Sequence, residues 1–173
     1  MKKDTNKVEL VAFTDASYDD KNKVAGWGVV IQITKNGVTK EHPYKGYLKC
    51  SNNNLAELYA IHQALIFLAG NKHKTEATKL TIYTDSQTAL DYINGLREKE
   101  YEHKKRGIWT KSQYINHKQL QLLAYKIRKM CIGGTVEYKK VKGHCRDFED
   151  THLVNNLADG YARIGRSLYY ERR

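Results

Sequence analysis

Asn36-Gly37 is the dipeptide that most narrows what this chain can fold into. It lies between two long runs of strand character, Ala25 to Lys35 (AGWGVVIQITK) and Val38 to Lys49 (VTKEHPYKGYLK). Asn-Gly supplies the two positive-φ positions of a type I′ turn, so these runs fold back on each other as an antiparallel hairpin. Pro43 has no amide proton to give to a ladder, which sends the second run to a sheet edge. After the hairpin the periodicity switches to alternating helix and strand. Leu58, Ile61, Leu65 and Leu68 mark a helix from Leu55 to Ala69, stopped by Gly70. A strand follows from Leu80 to Thr84, then a helix from Ser86 with Ala89, Ile93 and Leu96 on one face. Leu120, Leu123, Ala124, Ile127 and Cys131 mark a third helix, and Thr135 to Val141 a last strand. The final helix carries Leu153, Leu157, Tyr161, Ile164 and Leu168 as its apolar stripe. With the apolar run Val8 to Thr14 in front, a hairpin edge is joined to βαβ units. The result is one α/β domain, a mixed sheet with helices on both faces.

Charge identifies the class of partner. The chain has 173 residues, 30 Lys+Arg against 19 Asp+Glu, and a net charge of +11. Ten Lys/Arg and three Glu fall between Arg97 and Lys129, so this stretch alone carries +7. Its first part, REKEYEHKKR, has no apolar stripe and cannot be a core helix. Glu100 to Lys104 and Glu102 to Arg106 are favourable i,i+4 pairs, which suits a solvated helix. Placed inside a domain and followed by Trp109 and Tyr114, that helix reads as a protrusion from 97 to 118 that meets a polyanion. Residues 1–7 and 169–173 are expected as tails around a domain from 8 to 168. Three cysteines at wide spacing give no disulfide framework, and the start MKKDTNKVEL has no apolar segment of a secretory signal. No run is long and apolar enough for a membrane span. A monomer in a reducing cytoplasm is the expectation.

The catalytic reading begins with two strands that end alike, FTDAS at Asp15 and YTDSQ at Asp85. In an open α/β sheet, sites form beyond the carboxyl ends of parallel strands, so neighbouring strands would bring these carboxylates together. Each residue also has a plain structural reading. Asp85 suits a helix N-cap and Asp15 an Asx-turn. Asn54 as N-cap with Glu57 three residues on is a capping box. Asp159, off the apolar stripe of the last helix, reads as surface. Yet Glu57 also continues the stripe of Ile61, Ala64 and Leu68, where a carboxylate is costly unless a cation meets it. If the four converge, each pair about 4 Å apart repels by roughly 4 kcal/mol at an effective dielectric near 20. Divalent cations would then have to hold them, and hard oxygen ligands select Mg²⁺ or Mn²⁺. An acidic cluster beside a basic surface points to two-metal phosphoryl transfer on a nucleic acid.

The series FTDAS, NNLAEL, YTDSQ, VKGH and NNLADGYAR, in this order from Val8 to Arg166, resembles type 1 ribonuclease H. The resemblance implies a five-stranded sheet of order 3-2-1-4-5. It also implies an endonuclease that hydrolyses the RNA strand of RNA–DNA hybrids with two Mg²⁺ ions, Mn²⁺ substituting, to leave 5′-phosphate and 3′-hydroxyl ends. By similarity, Asp15 bridges the ions, Asp159 helps hold the one that activates water, and Glu57 and Asp85 hold the other. His144 matches a loop histidine that assists proton transfer or product release. Asn53, Asn54 and Gln87 match positions that read the RNA strand. Lys104, Lys105, Arg106, Trp109 and Lys111 lie where the DNA strand would run.

Three departures from that pattern stand out. Ala16 replaces a usual Gly, and Asn52 stands where a Thr commonly binds a DNA phosphate. The loop from His144 to Asp159 is a few residues longer, adding Asp147, Glu149, Asp150 and His152. Cys145 beside His144 and His152 lacks the second Cys pair that would complete a tetrahedral zinc set. Transposase-like, resolvase-like and exonuclease relatives share the fold, but the Asn pair, Gln87, the KGH loop and the basic insertion fit the hybrid cutters together. The four carboxylates and His144 speak against a binding module that has lost catalysis. A stand-alone protein, expected from the Met start and whole-chain coverage, and a domain excised from a reverse transcriptase both remain open.

Overall fold

The computed structural model describes residues 8–70, 77–97, 109–130, 135–142 and 150–172, with 77–79 and 150 by backbone alone. Three long strands come first: β1 (Val8–Asp19), β2 (Val24–Lys35) and β3 (Val38–Lys49). Then follow α1 (Asn53–Ala69), β4 (Ala77–Thr84), α2 (Gln87–Ile93), α3 (Lys111–Lys129), β5 (Thr135–Lys140) and α4 (Asp150–Glu171). The strands form one sheet in the order β3-β2-β1-β4-β5. The β2–β3 hairpin closes at Asn36 and Gly37, with φ of 54° and 77°, as an Asn-Gly type I′ turn requires. β3, with Pro43, is an edge strand.

Alternation along the strands assigns the two faces. Leu10 and Ala12 of β1 and Trp27, Val29 and Ile31 of β2 join α1, α2 and α3 in one core. Phe13 and Val30 point the other way, to Val154 and Ala158 of α4. No described helix is long and apolar enough to cross a membrane.

Five sequence expectations need correction. The stripe read on the last helix is the wrong one: Leu153, Leu157 and Ile164 are exposed, while Val154, Ala158, Ala162, Gly165 and Tyr169 are buried. The reason is close approach rather than hydrophobicity. A Cβ on Gly28 would lie 2.1 Å from the Ala158 carbonyl oxygen, and one on Gly26 would lie 1.9 Å from that of Ala162. The α4 backbone rests directly on the sheet, so its inward face must be small. Because the atom in the way is backbone and cannot swing aside, Gly28→Ala is expected to destabilise the fold by about 3 kcal/mol in urea denaturation.

The other corrections concern element ends. Asn52, not Asn54, caps α1, its side chain accepting from the Leu55 amide at 2.9 Å. Helix α2 stops at Ile93, Gly95 takes φ of 73°, and Leu96 swings out to solvent. Helix α3 begins at Lys111 under a complete capping box of Thr110 and Gln113, so 111–118 are helix turns contiguous with Leu120. Finally β1 does not end at Asp15. Its parallel pairing with β4 ends at Thr14 opposite Thr84, while its antiparallel pairing with β2 continues to Asp19.

Candidate active site

That register brings the acidic residues together. Thr14 and Thr84 are partners on adjacent parallel strands, so the next residue of each, Asp15 and Asp85, emerges at the same edge. Helix α1 crosses the same face and presents Glu57. One carboxylate oxygen each from Asp15, Glu57 and Asp85 lies within 4.8 Å of the others. Asp15 and Glu57 are 4% and 5% exposed, and Asp85 is half-buried.

None of the three is spent on the structural task that the sequence allowed it. Ser86 caps α2, accepting from Ala89 at 3.1 Å, which leaves Asp85 out of the cap. With Asn52 as the α1 cap, Glu57 lies a full turn inside the helix, beyond the reach of a capping box. Asp15 accepts the Ala16 amide at 2.8 Å.

The electrostatics express the crowding. Burial, then the nearby Asp85, pushes Asp15 from its ordinary 3.8 up to about 7. The Ala16 amide and the Arg163 guanidinium pull the other way, and Asp159 adds to the rise. Glu57 is raised well above the carboxylate range, first by burial and then by Asp15 and Asp85, against hydrogen bonds from Asn53 and Ala16. Its Oε2 is buried with no hydrogen-bond partner among the described residues. A buried oxygen without a donor, beside two further carboxylates, is compatible with a hard divalent cation.

Asp159 is placed differently. It stands on α4, close enough to raise the pKa of Asp15, but its carboxylate is held by Arg163 one turn on, at 2.9 and 3.2 Å. Arg163 was not singled out from the sequence, although its i+4 spacing from an acid was there to see.

The residues expected to touch nucleic acid divide into groups. Asn53 is exposed and bonded to Glu57. Asn52, Asn54 and Trp109 line one pocket of about 300 Å³ with Tyr92, Asn116 and His117. Ser51 donates to Asn116 at 2.8 Å and ties the α1 approach to α3. The exposed amide of Gln87 donates to Asp91 at 2.8 Å along α2, and Lys111 opens α3 in solvent. Tyr92, Asn116 and His117 were missed. The stripe Leu120, Ala124, Ile127, extended back one turn, lands on His117, but a histidine there did not read as lining. His144, Lys104, Lys105, Arg106 and Cys145 lie outside the described residues, as do Asp147 and Glu149.

Comparison with known proteins converges on one family. The RNase H family model matches residues 7–167. Ribonuclease H of Caldicellulosiruptor saccharolyticus is 29% identical over 155 residues, 90% of this chain and 94% of that protein. Ribonuclease H of a Ruegeria species is 31% identical over 159 residues, covering 91% and 90%. Among solved structures, RNase H1 of Halobacterium salinarum superposes with a TM-score of 0.63 at 18% identity, over 91% of this chain and 96% of that one. LC11-RNase H1, solved in complex with an RNA/DNA hybrid, gives 0.61 at 17%, over 93% and 99%. With the family model spanning nearly the whole chain and the acidic cluster at the mouth of the parallel strands, the chain belongs to the RNase H family, as a type 1 ribonuclease H.

Proposed function

We propose that the protein is an endonuclease that hydrolyses the RNA strand of RNA–DNA hybrids, using two divalent cations, Mg²⁺ with Mn²⁺ as a substitute, and leaving 5′-phosphate and 3′-hydroxyl ends. The observation that carries this is the buried meeting of Asp15, Glu57 and Asp85 within 4.8 Å. Asp15 interacts electrostatically with both Asp85 and Asp159, and Glu57 with Asp15 and Asp85. Asp15 is thus the member shared between two groups, which suits it to serve both cations. Asp159 would complete one set, Glu57 and Asp85 the other. Bound divalent cations supply charge neutralisation at the scissile phosphate and polarise water. The protein holds the carboxylates at the strand ends, where burial keeps competing water away from Glu57.

Asn53, Asn54 and Gln87 offer donor and acceptor together, as reading a 2′-hydroxyl and base edges requires. Asn52, whose side-chain oxygen caps α1 and whose amide nitrogen donates to the Ser51 hydroxyl at 3.3 Å, has its second N–H to offer a backbone phosphate on the DNA side, with Trp109 and Lys111 nearby. His144 serves proton transfer or product release. The hybrid-bound LC11-RNase H1, of the same fold, supports the choice of substrate.

The deciding experiment offers labelled hybrid, duplex RNA, duplex DNA and single strands, with and without Mg²⁺. Mg²⁺-dependent cutting of the RNA in the hybrid alone is expected. Duplex DNA cut as fast as hybrid would sink the reading. Replacing Lys104, Lys105 and Arg106 by Gln should weaken hybrid binding and flatten the slope of log K against log salt by about 0.9 per lost phosphate contact. An unchanged slope would remove these residues from the interface.

A further inference from the structure

We infer that His117 is a positioning residue for the hybrid, fixing the Trp109 wall of the substrate pocket at a set distance from the acidic cluster. The inference rests on reading that pocket as part of the hybrid-binding surface. Three rings from separate stretches of chain meet there. Tyr92 belongs to the last turn of α2, Trp109 lies just ahead of the α3 cap, and His117 is on the second turn of α3. His117 is 4% exposed. Its Nδ1 lies 2.8 Å from the Tyr92 hydroxyl, and its ring meets the Trp109 indole edge-on, with centroids 4.8 Å apart at 66°. All three line the pocket shared with Asn52, Asn54 and Asn116.

The location is what gives this contact a role. His117 occupies the inward stripe of α3 with Leu120, Ala124 and Ile127, where an aliphatic side chain would fill the space without carrying polar atoms out of water. Imidazole adds a directional bond to α2 on one edge and an aromatic contact to Trp109 on the other. Trp109 precedes the helix cap, and its indole packs edge-on against His117. Helix α2 is tied to α3 a second time, by Arg128, which donates to the carbonyls of Tyr92 and Ile93 at 3.0 and 3.3 Å. At its other end α2 starts at Gln87, two residues after Asp85. The path from indole to imidazole to tyrosine to α2 therefore sets the span between the Trp109 wall and the cluster. A duplex lying across both is bound in register only while that span is held. An indole face is a stacking surface for sugar and base, so losing its orientation weakens binding rather than the chemical step.

Tyr92→Phe deletes one hydroxyl, and His117→Phe keeps a ring against Trp109 but removes the nitrogen that pairs with the Tyr92 hydroxyl. Each should raise KM for hybrid by about five- to ten-fold, with kcat held within about two-fold. The dissociation constant, measured without cleavage in an Asp85→Asn background, should rise equally. The double variant should be no worse than the weaker-binding single one, since both remove the same bond. In the free protein, Trp109 emission, obtained by subtracting the spectrum of Trp109→Phe, should shift in both variants. Tyr92→Phe alone decides the matter if His117→Phe does not fold. Wild-type hybrid binding that survives Tyr92→Phe unchanged defeats the inference and leaves the proposed function standing, as do additive losses or a fall in kcat at constant KM. Wild-type protein that binds no hybrid defeats the proposed function, and this inference with it.

Discussion

Asp85→Asn protein is expected to fold and to bind hybrid, yet to cut it at least about a thousand-fold more slowly than wild type. The size of the effect follows from what Asp85 does not do. It is not the α2 cap, since Ser86 accepts the Ala89 amide, and it is only half-buried. An amide of the same shape therefore costs little stability. It does remove one of three carboxylates that share a space under 5 Å across, and a neutral amide oxygen is a far weaker partner for a divalent cation. Replacing the neighbour is the matched control. Ser86→Ala should lower stability by about 1 kcal/mol through loss of the cap, while hybrid cutting continues. Undiminished cleavage by Asp85→Asn would mean that the cluster is not the site of chemistry. Equal losses from both substitutions would mean that the turn matters only for folding.

The parts of this molecule legible in the sequence are those written in local chemistry. Asn36-Gly37 demands positive φ twice, and the hairpin follows. The repeated Thr-Asp after two apolar strands foretold that Asp15 and Asp85 would meet, because parallel pairing places equivalent residues side by side. What the sequence hid depends on a partner surface. The inward face of α4 is Ala158, Ala162 and Gly165, chosen for size against Gly26, Gly28 and Gly46, and a hydrophobicity pattern selects the leucines opposite instead. Asn52 and Asn54 are equivalent as caps until the chain direction entering α1 is known. His117 breaks an apolar stripe with a polar ring whose meaning comes from Tyr92, 25 residues away in sequence. Asp159 looked like surface because it sits off the apolar stripe read on its helix. The i+4 spacing of Arg163 was there to read, but the influence of Asp159 on Asp15 is a feature of the folded chain alone.

The crowding of the cluster makes a second large effect, this time on stability. Asp15 ordinarily titrates near 3.8 and in the folded protein near 7, and Glu57 is displaced the same way. A raised folded pKa means that the native state holds more protons than the unfolded chain between those values, so stability falls as pH rises through that window. It is full below about pH 4 and lost above about pH 7. At about 1.4 kcal/mol per unit, the rise in Asp15 corresponds to roughly 4 kcal/mol without metal.

Asp15→Asn carries no such proton at any pH. In chelator, the variant should match wild type near pH 4 and exceed its unfolding free energy by on the order of 4 kcal/mol at pH 7.5. Taking the difference between the two proteins cancels the pH dependence of the other charged groups. Adding Mg²⁺ should reverse the order at pH 7.5, because a cation that binds only the folded wild type releases those protons and stabilises it by mass action. At pH 5 the same Mg²⁺ should do much less, since it must compete with protons for the same oxygens. Urea melts at the two pH values, with chelator and with Mg²⁺, read all of this directly. Parallel pH profiles for wild type and Asp15→Asn would show that the carboxylates ionise independently. In that case the cluster would hold no charge repulsion for a divalent cation to relieve.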